Sequence, residues 1–170
     1  MTQLMGDEAR FESIYRQHAD GVHAYARRRS DTVTADEVVA DVFLVVWRRL
    51  DQVPSECLPW LLAVARRALA NRRRSARRAS ALEERLADGR SAEEPSKDLG
   101  LLSALSTLST RDREVLLLIA WEGLDHSEVA EVLSIRRAAV ATRFHRARRR
   151  LAAALAAEQG AGSEHMEAWR

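Results

Sequence analysis

Residues 108–151 read LSTRDREVLLLIAWEGLDHSEVAEVLSIRRAAVATRFHRARRRL, and this stretch decides the fold of the C-terminal part of the chain. Asp125 followed three residues later by Glu128 is the pattern of a capping box, which predicts that a helix begins here. The apolar residues that follow have helical spacing and predict one buried stripe, formed by Val129, Ala130 and Leu133.

A turn at Ser134 and Ile135 is predicted to separate this helix from a last helix with two unlike sides. Its apolar positions recur at spacings of four, three and four, and they are Val140, Phe144, Ala147 and Leu151. Its other faces carry seven arginines and one histidine without any acid, namely Arg136, Arg137, Arg143, His145, Arg146, Arg148, Arg149 and Arg150. A helix that is apolar inside and cationic outside is suited to contact a polyanion, so the pattern predicts a helix-turn-helix that binds DNA. The alternative is a solvated basic helix in a three-helix packing unit.

The composition of the 170 residues favours an all-helical protein. Gly and Pro total ten, aromatic residues are 5% and the apolar share is 46%, so there are few turn formers and enough apolar residues for a core. The net charge of +2 conceals its distribution, because arginines cluster at 66–78 and 136–150 while acids concentrate at 36–41 and 83–98. Cys57 is the single cysteine, which excludes an internal disulfide framework and a zinc site of several cysteines.

Several other classes of protein find no support in the sequence. No apolar run approaches the roughly 18 residues that span a bilayer, and the N-terminus lacks a signal-peptide layout, so we expect a cytoplasmic protein without membrane insertion. There is no Gly-rich phosphate loop, and the five histidines are scattered. We therefore expect no metal, no cofactor and no enzymatic activity.

The N-terminal part is predicted to contain four helices over residues 7–78. Gly21 lies between two apolar stripes and is predicted to separate the first two helices. Thr34 as a cap, with Glu37 three residues later, predicts the start of the third helix, whose β-branched content would otherwise suggest a strand. After a loop, Pro59 is predicted to lie near the first turn of the fourth helix.

Polar residues at 79–97 interrupt the helical periodicity and predict an acidic, flexible linker, with a short helix at 82–86 as an option. Leucine spacing resumes at Leu99, so a second domain is predicted over 98–156, followed by a tail at 157–170. The sequence thus predicts an all-α protein with two small helical domains, the second of which is a helix-turn-helix.

Over roughly residues 8–155 the chain resembles bacterial RNA polymerase sigma factors of the extracytoplasmic-function (ECF) group. TADEVVADVFLVVWRRL, residues 34–50, is similar to the core-polymerase-binding helix of that family, and PWLLAVARRALANRRR, residues 59–74, to its promoter-melting helix. Three segments within residues 108–151 resemble the domain that reads the −35 element. The resemblance implies a sigma factor that binds core RNA polymerase and directs initiation at selected promoters.

The resemblance also implies a role for each set of charged residues. Contact with the clamp helices of the largest polymerase subunit would involve Asp36, Glu37, Asp41, Trp47 and Arg48. The opened −10 strand would lie along Trp60, Arg66, Arg67, Asn71 and Arg72. The −35 groove would face Arg136, Arg137, Ala139, Thr142, Arg143, Arg146 and Arg149. Trp47 could equally belong to the core, and Trp60 could equally be a buried anchor at the start of its helix.

Further partners implied by the resemblance are the flap of the second-largest polymerase subunit, promoter DNA and an anti-sigma protein. Ser134 stands at the turn where the family usually has glycine, and Ala40 where a polar glutamine is common. The alternative function is a free-standing helix-turn-helix regulator that binds an operator as a dimer. An adaptor that does not bind DNA is disfavoured by the absence of acids in the last helix.

Overall fold

The computed structural model describes the backbone of residues 2–83 and 99–167, and the side chains of residues 6–78, 101 and 103–157. These ranges contain seven α-helices and one 3-10 turn, and no strand lies within them. The predicted all-α class is therefore confirmed. The chain divides into two compact units, one made mainly of the N-terminal half and one mainly of the C-terminal half.

Three long helices form the N-terminal unit: α1 (Thr2–Arg27), α2 (Thr32–Arg48) and α3 (Leu58–Glu83). Each packs against the other two, and a 3-10 turn at Leu50–Gln52 lies between α2 and α3. The core consists mainly of aliphatic residues and also buries the rings of Tyr25 and Phe43. Its fully buried members include Val22, Tyr25, Val38, Val42, Val46, Leu61 and Leu62.

Two predictions for this unit are wrong. Gly21 does not end a helix, because α1 passes through it and Ile14, Val22 and Tyr25 keep one buried stripe on both sides. Burial of that stripe outweighs the roughly 0.5–1 kcal/mol that a helical glycine costs. The cap of α2 is also not Thr34 but Asp31, whose Oδ1 accepts a hydrogen bond from the Thr34 backbone amide at 2.9 Å. The helix thus begins two residues before the predicted cap.

Four helices form the C-terminal unit: α4 (Leu99–Ser106), α5 (Thr110–Ala120), α6 (His126–Leu133) and α7 (Arg137–Glu167). Both α4 and α5 pack against α7. The core of this packing is formed by Leu105, Leu108, Leu116 and Ala147, with Leu117, Phe144 and Leu151 against it. The first helix of the unit begins at Leu99, where the leucine spacing resumes, and the predicted inward face of the last helix is confirmed.

The helices extend beyond the predicted bounds at two places. The α3 helix continues to Glu83, past the predicted end at 78, and α7 continues to Glu167, through most of the predicted tail. The optional short helix at 82–86 and the acids of the linker lie almost wholly outside the described residues. The exact domain bounds therefore stay predictions.

Candidate nucleic-acid and protein interfaces

The helix-turn-helix is formed by α6, a tight turn and the beginning of α7. The Asp125 carboxylate accepts hydrogen bonds from the backbone amides of Ser127 at 2.6 Å and Glu128 at 2.9 Å. The Glu128 side chain accepts in return from the Asp125 amide at 2.7 Å, so the predicted capping box is confirmed. These amide bonds hold the pKa of Asp125 below its usual value. The start of α6 is thereby fixed.

The turn after α6 places one residue in an unfavourable backbone conformation. Ser134 has φ of 53°, the left-handed region, and the next amide, of Ile135, donates to the Ala130 carbonyl at 3.0 Å. A side chain in this region costs roughly 1–2 kcal/mol, and glycine avoids most of that cost. The predicted turn is confirmed, with serine in a position that favours glycine.

Most of the residues predicted to read DNA lie on the surface of α7. Arg136, Arg137, Thr142 and Arg149 are exposed, and the Thr142 hydroxyl donates to the Ala138 carbonyl at 3.0 Å. Ala139 and Arg143 are half-buried. The first turn of α7 and its exposed face thus present a set of cationic and small polar groups suited to a DNA groove.

Arg146 differs from the other predicted reading residues, because an acid of another helix accepts two hydrogen bonds from it. Of the charged side chains described in either unit, Asp112 of α5 alone is buried, with 1% of its surface exposed. Its carboxylate accepts from Arg146 Nε at 2.9 Å and Nη2 at 2.6 Å. The bonds from Arg146 hold the pKa of Asp112 below its usual value, although desolvation acts in the opposite direction.

This ion pair was not predicted from the sequence, because only acids within the last helix were considered as partners of its arginines. A signal was present, since Asp112, Val115 and Leu116 are spaced three and four apart and so share the buried face of α5. A charged residue on a buried helical face needs a partner of opposite charge, and the arginine-rich α7 packs on that face.

The predicted polymerase-binding acids and one predicted strand-binding arginine meet in the N-terminal unit. The Arg72 guanidinium of α3 donates to Asp41 at 2.6 Å through Nη2 and to Glu37 through Nη1. Asp36 lies on the same helix as both acids, and its Oδ1 is 3.0 Å from His23 Nε2. Two acids predicted to bind polymerase and an arginine predicted to bind the −10 strand therefore form one ion-pair network between α2 and α3.

An aromatic surface covers part of α1 and α2 in this unit; it is formed by Phe11, Tyr15, Leu44 and Trp47, and the buried ring of Phe43 packs beneath Phe11 and Tyr15. The Trp47 ring meets Phe11 edge-on with centroids 5.3 Å apart, and 45% of Trp47 remains exposed. Trp47 therefore packs against the protein and also presents an apolar side to solvent. Tyr15 and Leu44, which sequence reasoning did not single out as surface groups, are 45% and 46% exposed.

The remaining predicted residues lie where α2 ends and along α3. Arg48, Arg67 and Asn71 are exposed, and the Asn71 side chain accepts a hydrogen bond from Arg74. Trp60 and Arg66 are half-buried, so Trp60 is neither a fully buried anchor nor a free surface ring. The loop before α3 is anchored by Arg10, whose Nη2 donates to the Val53 carbonyl at 2.6 Å.

No group of three or more His, Cys, Asp or Glu residues that could hold a metal ion occurs in the described parts of the chain. Among the helices described, none combines the length and the apolar character needed to cross a membrane.

The fold and these surfaces define a class of two-domain helical proteins with a helix-turn-helix, and comparisons with known proteins give the family. Residues 14–79 match the model of Sigma-70 region 2, and residues 98–151 match the model of Sigma-70, region 4. The chain belongs to the sigma-70 family of RNA polymerase sigma factors, and within it to the ECF group. Sigma factors are transcription-initiation factors, and a match to both regions does not favour the free-standing regulator.

Individual relatives cover nearly the whole chain. The RNA polymerase sigma factor NccH of Alcaligenes xylosoxydans xylosoxydans is 26% identical, over 91% of this chain and 91% of that protein. The ECF RNA polymerase sigma factor SigL of Mycobacterium tuberculosis is 28% identical, over 85% of this chain and 88% of that protein. Among solved structures, CnrH in complex with the cytosolic domain of CnrY matches with a TM-score of 0.62 and 29% identity, covering 86% of this chain and 88% of that chain.

Proposed function

We propose that this sigma factor binds core RNA polymerase in the cytoplasm, reads duplex DNA at the −35 element with α7 and holds the opened −10 strand along α3. The observation that carries the proposal is the exposed arginine surface at the start of α7, in a helix-turn-helix whose partner helix is capped at Asp125. The chain itself contributes binding groups, and the polymerase performs the chemistry.

Contact with the −35 element is assigned to Arg136, Arg137, Ala139, Thr142, Arg143 and Arg149. An arginine can donate two hydrogen bonds to O6 and N7 of guanine in the major groove, whereas phosphate contacts fix the position of the helix without reading sequence. Arg149, more than three turns beyond the start of α7, is assigned to a phosphate because reading groups cluster at the N-terminal end of a recognition helix.

Polymerase binding is assigned to the acids of α2 and the adjacent part of the aromatic surface. Asp36, Glu37 and Asp41 supply negative charge for the basic clamp helices of the largest subunit, while Trp47 and Arg48 extend the contact. Apolar rings beside charged groups are typical of protein interfaces, because the rings supply buried area and the charges supply complementarity. The C-terminal domain is assigned to the flap of the second-largest subunit.

Capture of the −10 strand is assigned to Trp60, Arg66, Arg67 and Asn71 on α3. Single-stranded DNA is held by cations along its phosphates and by rings or pockets for its bases, and this helix carries both kinds of group. We do not extend the strand surface to Arg72, because its guanidinium is already bound to Glu37 and Asp41.

An anti-sigma protein is proposed as the regulator of this chain. CnrH, a structural relative at 29% identity, occurs in a complex with the cytosolic domain of CnrY. The exposed parts of the aromatic surface offer an apolar area of the kind that such a partner would cover.

Transcription by a reconstituted polymerase tests the proposal. The purified chain added to core RNA polymerase should direct initiation at a distinct set of promoters in a genomic DNA library, whereas core polymerase alone should not. The chain alone should bind duplex DNA weakly and without a strong sequence preference. Tight binding to a palindrome by a dimer without polymerase would instead establish the operator-binding regulator.

A further inference from the structure

A buried acid from outside the helix-turn-helix holds two arginines of α7. Asp112 of α5 accepts two hydrogen bonds from Arg146, and its Oδ1 lies 4.0 Å from Nη1 of Arg143. The two arginines are three residues apart and therefore project from the same side of the helix. Their side chains are 47% and 25% exposed, whereas that of Asp112 is 1% exposed.

The geometry of the pair restricts how α7 can lie on α5. A guanidinium that donates from Nε and one Nη to the two oxygens of a carboxylate is held in plane, so its orientation is fixed as well as its distance. Because Asp112 is buried in the helix that packs on α7, this fork fixes the rotation and the axial position of α7. The core contacts of Ala147 and Leu116 alone would allow small rotations and shifts, since apolar contacts are non-directional.

We propose that Asp112 is a positioning residue for −35 reading: it sets the rotation of α7 and the direction of Arg143, and Arg146 is its anchor and not a base contact. The inference rests on the proposed −35 function. It moves Arg146 out of the reading set and adds a residue of α5 to the determinants of promoter specificity.

The expected signature is a loss of specificity without a loss of general DNA affinity. Replacing the carboxylate in Asp112→Asn removes a negative charge and leaves the arginines of α7 in place, so binding to phosphates is kept. Reading of bases declines, because it requires Arg143 and its neighbours within a fraction of an ångström of their partners. Partial unfolding of the domain would instead weaken binding to every duplex.

A double-mutant cycle tests this in the full chain bound to core RNA polymerase. Wild type, Asp112→Asn, Arg146→Lys and the double variant are compared on two duplexes, the −35 sequence that the wild-type holoenzyme enriches from a random library and a scrambled sequence. Lysine keeps the charge of Arg146 but cannot form the fork. Glu131→Gln is the matched control, since Glu131 is an exposed acid of α6 in the same helix-turn-helix.

Each single variant should lower the ratio of specific to scrambled affinity by about tenfold, and the double variant should lower it no further than the larger single effect. The loss should spread over several base pairs. Glu131→Gln should change both affinities equally and leave the ratio unchanged.

Additive losses, or a loss in Arg146→Lys confined to one base pair, would overturn the inference and make Arg146 a base-reading residue. If the wild type prefers the specific duplex and both single variants keep the same ratio of specific to scrambled affinity, the inference is overturned as well. If Asp112→Asn loses its helical circular-dichroism signal, Arg146→Lys decides alone, and a retained ratio rejects the positioning role. If the wild-type holoenzyme enriches no −35 sequence, the proposed −35 function fails and the inference fails with it.

Discussion

At the scale of single residues, Ser134 stores conformational strain in the turn that the helix-turn-helix requires. Its φ of 53° is tolerated because α6 and α7 are held by their own packing on either side. Serine therefore occupies a backbone conformation that favours glycine, and exchange of Ser134 for glycine should relieve the strain.

Ser134→Gly should raise the free energy of unfolding of the C-terminal domain by about 1 kcal/mol, somewhat offset by the greater freedom of glycine in the unfolded chain. Urea denaturation followed by circular dichroism measures the change. Ser134→Ala is the control, because alanine keeps the Cβ that causes the strain and should give no such gain. Equal stabilisation by alanine and glycine would show that backbone strain is not the cause.

The Asp112 carboxylate should make the C-terminal domain sensitive to acid. Its pKa is lowered in the folded state by Arg146, so the stability that its ionised form contributes is present above the unfolded pKa of about 4 and is lost as the pH falls through the lower, folded pKa. Thermal melting between about pH 6 and pH 3 should therefore show a smaller decline for Asp112→Asn than for wild type. Asp31 and Asp125 titrate in both proteins, so parallel declines would exclude a contribution from Asp112.

At the scale of helices, local sequence signals predicted most of the helices, whereas the contacts between residues far apart in sequence were not predicted. The capping box at Asp125, the apolar stripe of α7 and the start at Leu99 were readable because each depends on residues within one or two turns. The cap of α2 was misplaced because Asp31 and Thr34 are both good capping residues, and only the backbone decides between them.

The ion pairs were not readable in this way, because their partners are 31 to 35 residues apart in sequence. Opposite charges that far apart are common in any chain with 31% charged residues, so the pattern alone does not select a pair. Which acid meets which arginine depends on how α2 lies on α3 and how α5 lies on α7. The candidate residues could therefore be named from the sequence, whereas their division between structural and binding roles could not.

The network between α2 and α3 predicts different outcomes for two arginines of α3. Arg72→Ala should lower the free energy of unfolding of the N-terminal domain by about 1 kcal/mol, because it leaves Glu37 and Asp41 unpaired on adjacent turns of α2. Arg67→Ala, at an exposed position of the same helix, should leave stability nearly unchanged. In titrations of single-stranded DNA with holoenzyme, Arg67→Ala should reduce the salt slope by about 0.7 and Arg72→Ala should not. A reduced slope for Arg72→Ala would return that residue to the strand surface.

At the scale of the whole molecule, two compact units each carry their own charged surface. Each surface alone would hold DNA weakly, and simultaneous binding raises the effective concentration of the second surface once the first is bound. Core polymerase is expected to supply the fixed geometry that makes this gain specific. Under the proposed function, the division of the chain would make the selection of DNA depend on this partner.

Transcription should depend sharply on the distance between the two promoter elements. Lengthening or shortening the −35 to −10 spacing by two or three base pairs should reduce initiation by an order of magnitude or more, because the two domains on polymerase can no longer bind both elements at once. Run-off transcription on a spacer series measures this, with unchanged spacing and altered spacer sequence as the control. A flat response would mean that one domain alone selects the promoter.

The aromatic surface of α1 and α2 has a consequence for the amount of this protein that a cell can hold. Tyr15, Leu44 and Trp47 keep nearly half of their surface exposed in the free chain, and exposed apolar area of this kind promotes self-association. Molecules in excess of their partners would be the ones to aggregate or to be degraded. The half-life of the protein should therefore shorten when it is overproduced alone and lengthen when a partner is produced with it. The amount of the protein in the cell would then follow the number of its molecules that are bound to a partner.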